Sequence, residues 1–195
     1  MSSRKRRSKK RRRQIFVNRI MFISVFIILF AFMIKVKNHS GIKVDTRENY
    51  IKMAKPIAVS VANEYNLFPS VVLGQSALES NFGKSELSLN YNNYFGIKAK
   101  NDDKKEEMMT SEFVDGKEIR VKQPFREYNS MKESFKDYGK LISTAPRYKR
   151  VMSSQNYRQA AYNLQKCGYA TDPNYADKII EIIENYELYK LDENN

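Results

Sequence analysis

Gln75-Ser76-Ala77-Leu78-Glu79-Ser80-Asn81-Phe82-Gly83-Lys84-Ser85 is the stretch on which the reading of this chain turns. Pro69 stands a few residues before it, with its φ already set for a first helical turn. From Val71 to Leu78 almost every residue is small or apolar, and Asn81-Phe82-Gly83 supplies the stop. The pattern predicts a buried central helix over residues 69–79 with a glutamate at its C-terminal end. A carboxyl group there loses hydration and sits at the negative end of the helix macrodipole, and both effects raise its pKa. Held protonated near neutral pH, Glu79 has what a general acid needs. Position alone also admits a solvated residue or a partner for Lys84.

Outward from this helix, Ile51, Ala54, Ile57, Ala58, Val61, Ala62 and Tyr65 recur at helical spacing over residues 49–66, with Pro56 as a potential kink. Residues 90–130 change character. Asn90, Asn92, Asn93 and Gly96 mark an irregular aromatic segment. Two β-prone stretches, 107–114 and 117–123, then flank Asp115-Gly116, a strong hairpin signal. Ser130 with Glu133 forms a capping box for a helix bearing Phe135, Tyr138 and Leu141. Helices at 147–152, 156–166 and 174–188 complete an α+β plan, mainly helical with a small β-hairpin lobe. Asp172 is expected to cap the last helix.

The chain of 195 residues carries a formal charge of +13, which invites a nucleic-acid reading. Twelve of its 35 basic residues lie in residues 1–40, where there is no acid; residues 41–195 keep 23 bases against 22 acids. The body therefore offers no excess to attract phosphate, and no nucleic-acid partner is expected. Ile20 to Ile34 carry no charge, and apolar neighbours extend the run to residues 15–36, long enough for one membrane span. Lys35-Val36-Lys37 after the core is unlike a signal-peptidase site, so an uncleaved anchor is expected. Nine bases in residues 4–13 would keep that end cytoplasmic and the body outside the cell membrane. The expected domains are a basic leader at 1–14, a transmembrane helix at 15–36, a stalk at 37–48 and a folded domain at 49–195. Cys167 is the only cysteine and His39, the only histidine, adjoins the expected span, so thiol catalysis is disfavoured. The Lys98–Glu107 segment alternates acids with lysines and reads as a solvated loop, so neither metal nor cofactor is expected.

The stretch at 75–85, followed by Asn92-Asn93-Tyr94-Phe95-Gly96-Ile97-Lys98, resembles the signature of family 73 glycoside hydrolases, bacterial endo-β-N-acetylglucosaminidases with a lysozyme-like fold. Phe125-Arg126-Glu127-Tyr128-Asn129-Ser130 and Gly168-Tyr169-Ala170-Thr171-Asp172-Pro173-Asn174-Tyr175 resemble further blocks in order, so the likeness covers about residues 50–190. It implies hydrolysis of the β-1,4 bond between N-acetylglucosamine and N-acetylmuramic acid in peptidoglycan, with Glu79 as catalytic acid. Glycosidases use a second carboxylate as nucleophile or base. The resemblance points to Glu112 in Thr110-Ser111-Glu112-Phe113, with Glu106, Glu107, Asp115 and Glu118 as competitors. From the final block it implies a cleft tyrosine, with Tyr169 expected at the chemistry and Tyr175 on the substrate. Asn93, Tyr94 and Phe95 read either as substrate-binding groups or as a turn with buried aromatics. A lytic transglycosylase and a non-catalytic wall-binding scaffold are the alternatives, and a membrane or cell-wall protein partner of unknown identity stays open.

Overall fold

The structure, a computed structural model, describes residues 46–100, 104–114 and 117–194, without the side chains at 108–114, 117–120 and 194. The leader, the span expected at 15–36, most of the stalk and the Asp115-Gly116 turn lie outside the described residues. Among the described residues no helix is long and apolar enough to cross a membrane.

Helix α1 (Thr46–Tyr65) already contains three residues expected in the stalk, and it runs through Pro56 unbroken. Pro56 lies on the exposed face, where water can serve the carbonyl left without a donor. The other face buries Tyr50, Ala54, Ala58, Val61 and Ala62. Helix α2 (Pro69–Glu79) matches its predicted bounds and is buried all round except at Leu78, as expected of a central helix. At Gly74 a Cβ would come within 2.9 Å of Ile183 Cγ1, so the missing side chain lets α2 press against the last helix.

A short helix α3 (Glu86–Tyr91) was not foreseen. Ser85 caps it by accepting from the Ser88 amide at 3.2 Å, and Asn92 ends it at φ 51°. Six residues are too few to show a period, and the Ser85-Glu86 pair was the available signal.

Strands β1 (Lys105–Val114) and β2 (Lys117–Arg126) pair antiparallel from Lys105↔Arg126 at the base to Val114↔Lys117 at the tip. The ladder is longer at its base than predicted, because the body grips it there. The Ala99 amide donates to the Pro124 carbonyl at 2.9 Å, the Arg126 amide to Ile97 at 3.0 Å, and Phe125 is buried.

Helix α4 (Met131–Thr144) starts at the predicted Ser130 cap, whose hydroxyl accepts from the Glu133 amide at 3.2 Å. The Glu133 carboxylate reaches back to the Asn129 amide at 2.7 Å, one residue before its place in a standard capping box. A 3₁₀ turn (Pro146–Tyr148), α5 (Lys149–Met152), α6 (Tyr157–Lys166) and α7 (Tyr175–Asn185) follow. Asp172 accepts from the Asn174 amide at 2.9 Å and pairs with Lys178, clamping the entry to α7 from just outside its N-cap position.

The chain closes with a 3₁₀ segment (Leu188–Asn194) that folds back over the start of α2. There the Asp192 carboxylate accepts from the Ser70 amide at 2.9 Å and from its hydroxyl at 2.6 Å. Phe68 offers no cap, so a residue 122 positions away does this work. The core gathers α2, α4, α6 and α7 around Phe95, Phe135, Tyr138, Tyr148 and Tyr175, all essentially without exposure. Each such ring contributes roughly 1.5–3 kcal/mol by leaving water.

Candidate active site

Glu79 is the last residue of α2, and only 3% of it is exposed. Beyond it Asn81, Phe82 and Gly83 all take positive φ, turning the chain sharply away. Ser80 holds this corner, donating to the Ser76 carbonyl at 2.6 Å and accepting from the Gly83 amide at 2.8 Å. A Cβ at Gly83 would stand 2.8 Å from the Tyr50 ring, so this position requires glycine on both counts.

The Tyr175 hydroxyl donates to Glu79 Oε1 at 2.7 Å, while Oε2 is buried with no hydrogen-bond partner among the described residues. Burial pushes the Glu79 pKa well above the ordinary 4.5, and the Tyr175 hydrogen bond offsets only part of that rise. The same burial drives the Tyr175 phenol far up, so it stays a donor. With Oε1 engaged as acceptor, the proton of the neutral acid belongs on Oε2. The solvated-residue and Lys84-partner readings give way, because Glu79 is buried and its bond is to Tyr175.

Tyr169 was expected at the chemistry and Tyr175 on the substrate, but the hydroxyl that meets the acid belongs to Tyr175. Tyr169 stacks on Tyr175, with centroids 6.0 Å apart and planes 5° from parallel. Its own hydroxyl donates to the Phe95 carbonyl at 3.1 Å. Tyr169 therefore backs the tyrosine that holds the acid. Tyr138, which packs on Tyr169 and donates to Gln75 Oε1 one helical turn before Glu79, extends the same wall. Neither Tyr138 nor Tyr148 was singled out as a site neighbour from sequence; the available signal was the chain's 13 tyrosines in a body of modest core size.

The segment after α3 resolves its two readings residue by residue. Asn93 is buried, and its amide donates to the Ile97 and Arg126 carbonyls at 3.0 and 2.9 Å. Its oxygen accepts from the Ile97 amide at 3.1 Å. With both ends committed to backbone, Asn93 pins the loop and the hairpin base instead of meeting a sugar. Phe95 is fully buried, stacked on Tyr138 at 4.0 Å and edge-on to Phe135 at 4.8 Å, so it is core and not a sugar platform. Tyr94 is half-buried, stacked on Tyr50 at 6.2 Å, and it alone of the three keeps a surface to offer.

Glu112 lies on β1 opposite Ile119, and its side chain is outside the described residues. Seven register steps separate that pair from the base, about 23 Å along the ladder. At the base of the ladder Glu106 pairs with Phe125 and Glu107 with Pro124. Phe125 is buried at that base. Among the described residues no group of three His, Cys, Asp or Glu could hold a metal ion.

Comparison with known proteins gives this geometry its relatives. The glucosaminidase family, described as mannosyl-glycoprotein endo-beta-N-acetylglucosaminidase, matches residues 55–188. The chain is 33% identical over 199 residues to the exo-glucosaminidase LytG of Bacillus subtilis, covering 97% of this chain and 71% of that protein. It is 30% identical to the peptidoglycan hydrolase FlgJ of Vibrio parahaemolyticus, over 77% of this chain and about half (51%) of FlgJ. The solved catalytic domain of the autolysin Auto from Listeria monocytogenes superposes with a TM-score of 0.69 at 33% identity, over 82% of this chain and 93% of that one. Lysozyme-like in its mainly helical fold with a small two-stranded sheet, and matched from α1 to the end of α7, the chain belongs to the glucosaminidase family of glycoside hydrolases.

Proposed function

We propose that this chain is a peptidoglycan hydrolase that cuts the β-1,4 bond between N-acetylglucosamine and N-acetylmuramic acid, with Glu79 as general acid. The observation that carries the reading is the buried Glu79 carboxyl, held through Oε1 by Tyr175 with Oε2 left to carry the proton. In the reaction Oε2–H protonates the glycosidic oxygen as the bond to the anomeric carbon lengthens, and positive charge builds on the sugar ring. Glu112, on β1 opposite Ile119, is the second carboxylate of this reading. The hairpin that carries it is held at its base by Phe125 and by the Arg126–Asp137 ion pair at 2.6 Å. Tyr94 keeps a surface for a sugar, and Tyr175 with the ring wall behind it holds the acid.

Digestion of purified peptidoglycan, followed by reduction and mass spectrometry, tests this. Reducing-end N-acetylglucosamine supports the proposal, and fragments of several disaccharides support an internal cut over release from strand ends, the activity in the name of LytG. Anhydro ends would make the chain a lytic transglycosylase. No cleavage would leave a wall-binding scaffold.

The same proposal places residues 15–36 across the cell membrane, the nine bases of 4–13 inside and the catalytic body outside. The uncharged run and the basic leader support it, as does a LytG alignment that extends well ahead of Thr46. Residues 37–45 would then keep the start of α1 within about 30 Å of the bilayer. Carbonate-resistant membrane association, with the body cleaved by protease added outside cells, is the expected result; release of the chain by carbonate would refute it.

A further inference from the structure

Between Tyr138 and Thr171 the sequence has Lys140, Arg147, Lys149, Arg150, Arg158 and Lys166 and no acid, in a body that is nearly neutral overall. All six are exposed. Arg158 is engaged by Glu184. Arg147 lies in the 3₁₀ turn, Lys149 and Arg150 in α5, and Lys166 ends α6. The Arg147 guanidinium lies 4.4 Å over the Tyr148 ring and donates to that hydroxyl. Asn163 Nδ2 donates to the Arg150 carbonyl at 2.9 Å, fixing α5 on α6. Burial raises the Cys167 thiol pKa, and the charges of Arg150 and Arg147 pull against that rise.

This corner leads into the ring wall behind Glu79. Gly168 is followed by Tyr169, whose ring is 5.9 Å from Tyr148 and 6.0 Å from Tyr175, the tyrosine bonded to Glu79. A cationic shoulder thus stands a few aromatic rings from the general acid. A glycan strand of N-acetylated sugars is itself uncharged in its backbone; its negative charge hangs from the muramyl residues, on the carboxylates of the peptide stems.

We propose that Arg147, Lys149, Arg150 and Lys166 form a docking shoulder for the stem-peptide carboxylates of the strand whose sugars lie at Glu79. The inference rests on the peptidoglycan reading above. Exposed charges at a rim act through encounter and weak holding, so the shoulder governs KM and its salt dependence more than kcat.

The test uses the full chain in mild detergent and soluble stem-bearing strands freed of wall phosphate polymers. For the double variant Arg150→Glu, Lys166→Glu, the expected KM rises about fivefold to tenfold with kcat within about twofold. Raising salt to about 0.5 M should bring the wild type most of the way to the same KM. On strands whose carboxylates have been converted to neutral amides, wild type and variant should coincide. An unfolding midpoint equal to wild type secures the fold, and Lys149→Glu alone serves if the double variant does not fold. An unchanged KM on native strands, or an equal rise on amidated strands, overturns the proposal. So does an effect seen only on walls that keep their phosphate polymers. Failure of the wild type to cut any strand would instead remove the hydrolase reading beneath it.

Discussion

Replacing Glu79 by Gln should convert a catalytic group into added stability at neutral pH, by an amount that grows with pH. The glutamine keeps the shape of the side chain and an Oε1 for the Tyr175 hydroxyl, 2.7 Å away in the native protein. Burial has lifted the Glu79 pKa well above 4.5. Between 4.5 and that folded pKa, the native state holds a proton that the unfolded chain has released, so rising pH favours unfolding. The wild type therefore loses about 1.4 kcal/mol per pH unit across this window relative to the variant. At roughly 3 °C per kcal/mol for a domain of this size, its Tm falls about 4 °C per unit against the variant. Below 4.5 the difference is flat, set by the extra buried N–H of the amide, about 1–3 kcal/mol in favour of the wild type. Urea and thermal unfolding of both proteins from about pH 4 to about pH 9 would trace the difference, and the pH at which it levels reports the folded pKa. A difference independent of pH above 4.5, or one that favours the wild type increasingly as pH rises, would refute the buried-acid reasoning. Activity in the variant should fall about 10²–10⁴-fold.

Removing the Tyr175 hydroxyl with Tyr175→Phe takes away the bond that holds the Glu79 pKa down, so the basic limb of the kcat profile should move up while kcat falls about tenfold; pH–rate measurements read both. Tyr169→Phe should leave that limb in place and cost about 1 kcal/mol of stability through the Phe95 carbonyl. Glu112→Gln should lower kcat on peptidoglycan about 10²–10³-fold, whereas Glu118→Gln should stay within about twofold. Asp192→Ala removes the long-range cap of α2 and should lower Tm by about 3 °C, for a loss near 1 kcal/mol, as followed by thermal unfolding.

Much of this protein was legible residue by residue because the forces involved are short-ranged. Pro69 and the apolar run set the limits of α2, Ser130 set the start of α4, and β-prone stretches either side of Asp115-Gly116 announced the hairpin. Glu79 could be read as an acid because burial and a helix end follow from its neighbours along the chain. Helix α3 was missed, since one and a half turns leave no period to see.

Distance in sequence marks where reading stopped. Tyr169 and Tyr175 lie in one quoted block, and only the path of the chain between α6 and α7 decides which hydroxyl reaches Oε1. Asn93 and Phe95 could equally have faced a sugar; packing against Tyr138 and Phe135 and bonds to the hairpin base turned them inward. The Asp192 cap on Ser70 spans 122 residues and leaves no local trace, because neither end needs the other until the core closes. Helix bounds are consequences of nearest neighbours, written in spacing. The partner that holds the acid, the wall behind it and the charged shoulder beside it exist only once remote segments meet.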